Sequence, residues 1–249
     1  MKMEAVDYFY ELYTGLSRGG PGDNASTRKA YSFMKNVPGK PVILDIGCGP
    51  GMQTLELARI SGGTVVALDN YQPFLEKLLM DARKEGLDRQ ITIRNHSMLD
   101  LDYEDETFDV IWSEGALYFM GVINALIKCW KLLKPGGYLA FTEMVYLTDD
   151  PPDAVVKYFQ NEYPSIKTIR DNLDLIQAGR FKLLAHFTIP DPAWVDNYYV
   201  PIEKKIKKLN KKYKGNRTAL GVFGDCLKEA GFYKRYSRYY GYEFFVMQK

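Results

Sequence analysis

Apolar residues change their spacing repeatedly between residues 41 and 145. Short apolar runs predict five strands, at residues 41–46, 64–68, 91–95, 108–113 and 138–145. Apolar residues three and four positions apart predict helices between them, at residues 53–60, 73–85 and 122–133. Short apolar strands that alternate with helices are typical of a parallel sheet covered on both faces. We therefore predict an α/β fold with a doubly wound, mostly parallel sheet.

The two ends of the chain follow different patterns. Two helices are predicted near the N-terminus, over the first 16 residues and at about 25–35, with a glycine-rich loop between them. After residue 150 the pattern predicts helices at 153–178, 194–213 and 218–230 and strands at 181–189 and 240–247. The late strands bring the sheet to seven, and the late helices form a small helical cap. The predicted division is residues 1–36 and 37–249, with cap insertions at about 150–180 and 190–230.

One helix allows a prediction of its buried face. In the helix at 122–133, Ile123, Leu126, Trp130 and Leu133 are spaced three and four apart. This spacing places them on one stripe, which we expect to face the sheet.

Charge is unevenly distributed along the chain. Residues 201–249 hold 13 Lys and Arg against 4 Asp and Glu, although the whole chain carries a net charge of only +2. The helix at 204–214 is especially rich in lysine. Such a face is typical of a solvated helix packed on the core, but it also fits RNA or an anionic membrane surface.

The cysteines bear on location and metal content. The chain has three cysteines, which lie far apart and form no CxxC pair. This argues against a disulfide framework and a zinc site, so we expect a reducing, cytoplasmic location and no metal. We also expect no signal peptide, because Glu4, Asp7 and Glu11 interrupt the N-terminal residues, and no membrane span, because no apolar run approaches about 18 residues.

A cluster of glycines follows the first predicted strand. Gly47, Gly49 and Gly51 form a G-x-G-x-G pattern, and Asp45 lies two residues before it. Ligands of open parallel sheets bind beyond the carboxyl ends of the strands, where glycine lets the backbone approach closely. Dinucleotide sites use G-x-G-x-x-G, which this pattern does not match. A carboxylate next to the turn instead favours a ligand that carries positive charge.

The D-x-G-x-G-x-G pattern resembles the first signature of class I S-adenosylmethionine-dependent methyltransferases. Four later segments, ending with Leu132-Leu133-Lys134-Pro135-Gly136-Gly137, follow in the order that this family shows. The resemblance implies a Rossmann-like methyltransferase fold. It also implies that Asp45 helps to hold the amino-acid end of the cofactor, above a floor of Gly47, Gly49 and Gly51.

The same resemblance extends to the nucleoside end of the cofactor. Asp69 ends the second strand, 22 residues after Gly47, and is expected to accept hydrogen bonds from the two ribose hydroxyls. An acid at this distance also fits a nicotinamide dinucleotide, so it does not discriminate alone. Asn70 is expected to flank the adenine, and Ser97 and Met98 to approach its edge and face.

A closer resemblance is to a small prokaryotic subgroup of uncertain substrate. It is carried by SRGGPG after the first helix, WSEGALYFMG at the fourth strand and YYGYEFFVMQK at the C-terminus. In such enzymes an N-terminal helix and loop fold over the cofactor. The match implies that Arg18 lies near the cofactor carboxylate, whereas an exposed linker arginine is the plainer alternative.

Three residues are candidates for the acceptor side of the reaction. Glu114 is expected to orient the cofactor, accept a proton or bind a cationic substrate, unless it is a solvated acid. Tyr118 lines the methyl channel or packs in the core, and His186 serves as a base or a structural residue. Trp194, Tyr198 and Tyr199 form an aromatic wall for a cationic amine or belong to the core.

The favoured hypothesis is methyl transfer from S-adenosylmethionine to a small-molecule acceptor, with S-adenosylhomocysteine as product. Two alternatives stay open. One is an RNA methyltransferase that uses the basic 204–214 helix, and the other is a non-enzymatic protein that binds either form of the cofactor. The sequence does not fix the substrate, the acceptor atom or the oligomeric state.

Overall fold

The computed structural model describes residues 3–249 and contains one mixed sheet. Its strands are β1 (Val42–Ile46), β2 (Thr64–Asp69), β3 (Ile91–Asn95), β4 (Phe108–Glu114), β5 (Leu133–Tyr146), β6 (Lys167–Thr168), β7 (Lys182–Thr188) and β8 (Tyr240–Gln248). The order across the sheet is β3-β2-β1-β4-β5-β8-β7, with the two-residue β6 paired to β5. Strands β1 to β6 pair in parallel, and β8 is antiparallel to both β5 and β7. The predicted α/β fold is confirmed, with β6 as an unpredicted addition.

The helices cover both faces of the sheet. They are α1 (Ala5–Tyr13), α2 (Asn24–Ser32), α3 (Met52–Ser61), α4 (Gln72–Glu85), α5 (Val122–Leu132), α6 (Asp153–Glu162), α7 (Ile169–Ala178), α8 (Asp191–Trp194), α9 (Val200–Lys212) and α10 (Arg217–Tyr236). A π-helical turn, Val195–Tyr199, joins α8 to α9. None of the helices described for residues 3–249 is long and apolar enough to cross a membrane.

The central strands are buried on both faces. Successive residues of β1 belong to two different core clusters, since Ile43 packs in one and Leu44 in the other. Side chains alternate between the faces of a strand, so burial of both faces requires an uninterrupted apolar run. This is the pattern from which the parallel strands were predicted.

The expected buried stripe of α5 is wrong in part. Ile123 is 55% exposed, whereas Ala125, Leu126 and Cys129 are buried against the sheet. The short side chains of Ala125 and Cys129 allow the helix to lie close to the strands. Trp130 is only partly buried and packs its ring edge on Phe181.

Strand β5 begins earlier than the sequence predicted. Leu133 already pairs with Phe108 of β4, and Tyr138 pairs with Val110. Four residues of β5 therefore stand opposite one residue of β4, and the Pro-Gly-Gly segment before the predicted start of the strand is an irregularity inside it.

The chain reverses its strand order between β1 and β4. Strands β2 and β3 extend the sheet from one side of β1, and β4 and β5 from the other. Ligands of open parallel sheets bind at such a point, beyond the carboxyl ends of the strands. Segments 147–181 and 189–239, which hold the helices predicted as a cap, lie between β5 and β7 and between β7 and β8.

Candidate active site

A cavity of about 370 Å³ lies at the carboxyl ends of β1, β2 and β4. We call it the glycine cavity. Of the residues predicted to bind the cofactor, it is lined by Arg18, Gly47, Gly49, Asp69, Asn70, Ser97, Met98 and Glu114. Tyr118, predicted on the acceptor side, also lines it. The volume falls within the range of small-ligand sites.

The glycine turn forms one wall of the cavity. Gly47 has a φ of 69°, which favours glycine, and a β-carbon there would overlap Ala116 and lie 3.1 Å from Met98 Cε. Gly49 also has positive φ and lines the cavity. The backbone of the turn is thus presented directly to a ligand.

The resemblance implied that Gly51 forms part of the cavity wall, but Gly51 does not line the cavity. Its φ is 90°, and a β-carbon there would lie 2.9 Å from Leu78 Cβ. Gly51 precedes α3, so the absence of a side chain allows α3 and α4 to approach each other. Its role in the structure is helix packing.

Asp69 is held rigidly at the wall by backbone hydrogen bonds. Gly49 N donates to Oδ2 and Tyr71 N donates to Oδ1, each at 2.9 Å. Burial raises the pKa of Asp69, and these backbone hydrogen bonds oppose the rise. Each carboxylate oxygen accepts more than one hydrogen bond, so Asp69 keeps acceptor capacity for a ligand.

A buried ion pair lies on the opposite side of the turn. Arg18 Nη1 donates to Glu114 Oε2 at 2.8 Å, and the two side chains are only 5% and 4% exposed. Thr27 Oγ1 and Trp112 Nε1 both donate to Glu114 Oε1, at 2.7 and 3.0 Å. Arg18 also donates to Asn24 Oδ1. The arginine is therefore a built part of the cavity rather than an exposed linker residue.

The N-terminal segment contributes another part of the cavity wall. Phe9 and Tyr10 of α1 line it, together with Gly19, Gly20 and Pro21 of the following loop. Tyr10 stacks on Tyr71 with ring centroids 3.9 Å apart. The N-terminal helix and the loop after it therefore form part of the cavity lining.

Asp45 does not line the cavity but is fully buried behind it. Thr54 Oγ1 of α3 donates to Oδ2 at 2.6 Å, while Oδ1 has no hydrogen-bond partner among residues 3–249. Burial raises the pKa of Asp45 to about 7, with smaller contributions from the charges of Glu114 and Asp69. Any influence of Asp45 on a ligand is therefore electrostatic and acts through the turn.

His186 lines neither the glycine cavity nor the second cavity, which is described in the next paragraph. It is on the edge strand β7, four strand positions from β1, which corresponds to roughly 19 Å across a sheet. Its Nδ1 lies 2.6 Å from Glu243 Oε1 of the neighbouring β8, and its ring packs beside Phe245. This supports the structural alternative for His186 and not a role at the acceptor.

A second cavity of about 220 Å³ adjoins the first, and Tyr118 lines both. We call it the tyrosine cavity, because it is lined by Tyr118, Met144, Tyr158, Phe159, Glu162, Tyr163, Trp194, Tyr199, Glu229, Tyr240 and Tyr242. Burial, together with the nearby charges of Glu143 and Glu229, raises the pKa of Tyr118 to about 12. Tyr118 is therefore an uncharged phenol at neutral pH.

Trp194 and Tyr199, two of the three residues expected in an aromatic wall, do line this cavity. Tyr198 does not: it is buried elsewhere, with its hydroxyl 2.8 Å from that of Tyr13. Sequence reasoning missed Glu229 and most of the tyrosines. Only the alternation of Tyr240 and Tyr242 on β8 gave a signal, because residues two apart on a strand share a face.

A further buried carboxylate stands behind the tyrosine cavity. Tyr163 donates its hydroxyl to Glu143 Oε1 at 2.6 Å, and Glu143 Oε2 has no partner among the described residues. Burial raises the pKa of Glu143 to about 7, and the bond from Tyr163 opposes the rise. Within residues 3–249, no group of three or more His, Cys, Asp and Glu side chains is arranged to hold a metal ion.

Comparison with known proteins relates this fold to that of methyltransferases. Residues 44–141 match the model of a methyltransferase domain family. Two solved S-adenosylmethionine-dependent methyltransferases, both in complex with S-adenosylhomocysteine, superpose with a TM-score of 0.83. That from Geobacter sulfurreducens is 19% identical and covers 97% of each chain; that from Thiobacillus denitrificans is 18% identical and covers 99% of each.

Residues 44–141 therefore match a methyltransferase domain, as the resemblance to class I methyltransferases implied, and the two solved structures share the fold of the chain. The sterol 24-C-methyltransferase ERG6 of Saccharomyces cerevisiae is 32% identical over 163 residues, or 59% of this chain. The match covers 42% of the yeast protein, so the chain spans less than half the length of that relative.

Proposed function

We propose that the protein transfers a methyl group from S-adenosylmethionine to a small-molecule acceptor and leaves S-adenosylhomocysteine. The observation that carries the proposal is Asp69, fixed by two backbone N–H groups at the wall of the glycine cavity. A rigid carboxylate with free acceptor capacity suits the two neighbouring hydroxyls of a ribose. Both solved relatives named above contain the demethylated cofactor.

The remaining lining residues fit the rest of this cofactor. Asn70, Ser97 and Met98 line the same cavity as Asp69, and we assign them to the adenine. Arg18 uses Nη1 and Nη2 on Glu114 and Asn24 and keeps other N–H donors for a carboxylate. The negative charge of Asp69 suits a ligand with an ammonium and a sulfonium group, and Asp45 adds to this charge in the fraction of molecules in which it is ionised.

The chemistry requires the protein mainly to position its reactants. When bound, the cofactor supplies a methyl group already activated by its sulfonium, and displacement needs an acceptor held in line with it. Tyr118 separates the two cavities and is the nearest candidate to shape that path. Glu114 is engaged by three donors, so we assign it to holding Arg18 rather than to accepting a proton.

Nothing in the structure favours the RNA alternative over a small-molecule acceptor. Helix α9 buries Ile202, Ile206 and Leu209, and two of its lysines bind the N-terminal segment. Lys212 pairs with Glu11 at 2.7 Å, and Lys205 donates to the carbonyl oxygen of Thr14. The basic face thus has a role in docking α1. A cytoplasmic location remains a prediction, supported by the three unpaired cysteines.

Binding of S-adenosylhomocysteine to Asp69→Ala, measured by isothermal titration calorimetry, tests the cofactor assignment. We expect the Kd to rise by about tenfold or more, since a hydrogen bond to a charged group contributes about 1.5–3 kcal/mol. Asp105→Ala is the matched control, because Asp105 is an exposed acid outside the cavity. Equal affinity in wild type and Asp69→Ala would contradict the assignment.

Turnover separates the enzyme from a protein that only binds the cofactor. Labelled methyl from S-adenosylmethionine is followed into the metabolite, RNA, lipid and protein fractions of a cell extract. Label among the metabolites is the expected result. Label in RNA would instead support the lysine-rich helix as a binding surface. Cofactor binding without transfer to any fraction would support the non-enzymatic alternative.

A further inference from the structure

The tyrosine cavity is aromatic and acidic and lacks a basic lining residue. Eight of its eleven lining residues are aromatic, and its two charged residues are Glu162 and Glu229. Among residues 3–249, neither carboxylate has a cationic nitrogen within 4.0 Å. The cavity is therefore a negatively charged space whose charge the described protein does not neutralise.

Glu229 is the less exposed of the two carboxylates. Glu162 is exposed at the end of α6, whereas Glu229 lies partly buried on α10, where the hydroxyl of Tyr199 donates to its Oε1 at 3.0 Å. Burial raises the pKa of Glu229, and no positive charge opposes this rise. A buried carboxylate without a counter-charge is costly, and a bound cation removes that cost.

The rings around Glu229 form the other half of a cation site. Trp194 and Tyr242 have ring centroids 4.8 Å apart, and so do Phe159 and Tyr240. Ring faces attract cations within about 6 Å of their centroids, and the attraction grows when water is excluded. None of the cation–ring contacts formed by the described residues involves a ring of this cavity.

An unpaired donor in the same wall also indicates a ligand. Trp194 is 1% exposed, and its indole Nε1–H has no hydrogen-bond partner among residues 3–249. Buried polar groups of proteins are rarely left unpaired. A ligand with an oxygen atom next to Nε1 would supply the acceptor that this donor lacks.

We propose that the tyrosine cavity binds a small organic ammonium ion that also carries an oxygen acceptor. Glu229 neutralises its charge, the surrounding rings bind its apolar groups and its positive face, and the Trp194 indole binds its oxygen. The claim that this ion is the methyl acceptor rests on the proposed function, because Tyr118 separates its site from the cofactor. The claim that the cavity binds an ammonium ion stands on its own.

Two probes that differ only in charge test the proposal. Choline carries a trimethylammonium group and a hydroxyl, and its neutral isostere carries a tert-butyl group in the same place. Each is titrated by calorimetry into the full-length protein, with and without saturating S-adenosylhomocysteine. We expect choline to bind about tenfold more tightly than the isostere, because the attraction between a cation and aromatic rings is larger in a site from which water is excluded.

Glu229→Gln identifies the site of the difference. Glutamine keeps an acceptor for the Tyr199 hydroxyl but removes the charge, so we expect the preference for choline to fall to about twofold or less. Asp225→Asn is the matched control, because Asp225 lies one turn earlier on α10 and its side chain is 73% exposed. This control should keep the wild-type preference.

The outcomes distinguish this inference from the proposed function. Equal affinity for the two probes, or absence of binding by either, would overturn the inference even where S-adenosylhomocysteine binds. A preference for choline that survives in Glu229→Gln would also overturn it, since the cation would then lie elsewhere. Preference for choline without any binding of S-adenosylhomocysteine would support the cation site and contradict the methyltransferase assignment.

Discussion

The glycine cavity and the tyrosine cavity share Tyr118 but are built in opposite ways. The first is walled by backbone turns at the ends of neighbouring strands, with Asp69 held by two backbone N–H groups. The second is walled by side chains from β5, α6, α8, α10 and β8. In the first cavity, Arg18 neutralises the charge of Glu114, whereas in the second cavity Glu229 has no counter-ion.

This difference indicates what each cavity needs from a ligand. The glycine cavity presents fixed hydrogen-bonding groups to its ligand, and its Arg18–Glu114 ion pair is complete, so its remaining negative charge lies at Asp69. The tyrosine cavity is electrostatically incomplete, so a cation contributes more to it than shape does. Removal of Arg18 from the glycine cavity and neutralisation of Glu143 behind the tyrosine cavity should therefore affect stability with opposite signs.

The largest expected effect follows from breaking the ion pair of the glycine cavity. Arg18→Ala leaves Glu114 buried with two neutral donors, and we expect a loss of about 3–5 kcal/mol in the free energy of unfolding. Urea denaturation measures it. Arg28→Ala is the control, because Arg28 pairs with Glu56 but is 54% exposed, and should cost about 1 kcal/mol or less. Equal losses in the two variants would contradict the role of Arg18 as the buried counter-ion of Glu114.

Neutralising a carboxylate behind the tyrosine cavity should have the opposite sign. Burial holds the pKa of Glu143 at about 7 in the folded protein, against 4.5 for an ordinary glutamate. Between these values the folded carboxyl keeps a proton that the unfolded one releases, so the wild type loses stability as the pH rises. Glu143→Gln lacks this loss, and its stability relative to wild type should rise by about 3 kcal/mol from pH 4.5 to 7.

Thermal and urea unfolding across this pH range measure the effect. Glutamine keeps an acceptor for the Tyr163 hydroxyl, so the hydrogen bond to β5 need not be lost. Glu104→Gln changes an exposed acid and should show a flat difference from wild type over the same range. A flat difference for Glu143→Gln as well would show that this carboxyl is not perturbed by its burial.

The smallest expected effect tests the backbone of the glycine turn. Gly49→Ala and Gly51→Ala both place alanine at positive φ, which costs about 1–2 kcal/mol. A β-carbon at Gly51 also overlaps Leu78, whereas one at Gly49 has only the Gly19 nitrogen, 3.8 Å away. We expect urea unfolding to show Gly51→Ala as the less stable variant by about 1–3 kcal/mol. The reverse order would contradict the packing role assigned to Gly51.

The glycine cavity was largely predictable because its parts recur at the ends of consecutive strands. The chain alternates strand and helix, so the carboxyl ends of β1, β2 and β4 must meet at one edge of the sheet. Gly47 follows the end of β1, Asp69 is the last residue of β2, and Ser97 comes two residues after the end of β3. Local spacing was sufficient to indicate a common site, although it could not separate Gly49, in the wall, from Gly51, in the helix interface.

Other residues were predicted less accurately, because a sequence pattern gives the type of a residue but not the residues that it contacts in the fold. His186 is a candidate because histidine is the usual general base, but it pairs with Phe245 and contacts Glu243 only because β7 lies antiparallel to β8. The stripe on α5 was drawn from large apolar residues, whereas the short Ala125 and Cys129 face the sheet.

The sequence by itself determined the α/β fold, the order of its elements and the edge of the sheet at which the glycine cavity lies. These follow from periodicity and from the handedness of strand–helix–strand units, which are local properties of the chain. Only the tertiary structure decided the ion pair of Arg18 with Glu114, 96 residues apart, and the tyrosine cavity around Glu229. Such contacts join side chains from distant segments, and their charge balance depends on burial that no local pattern contains.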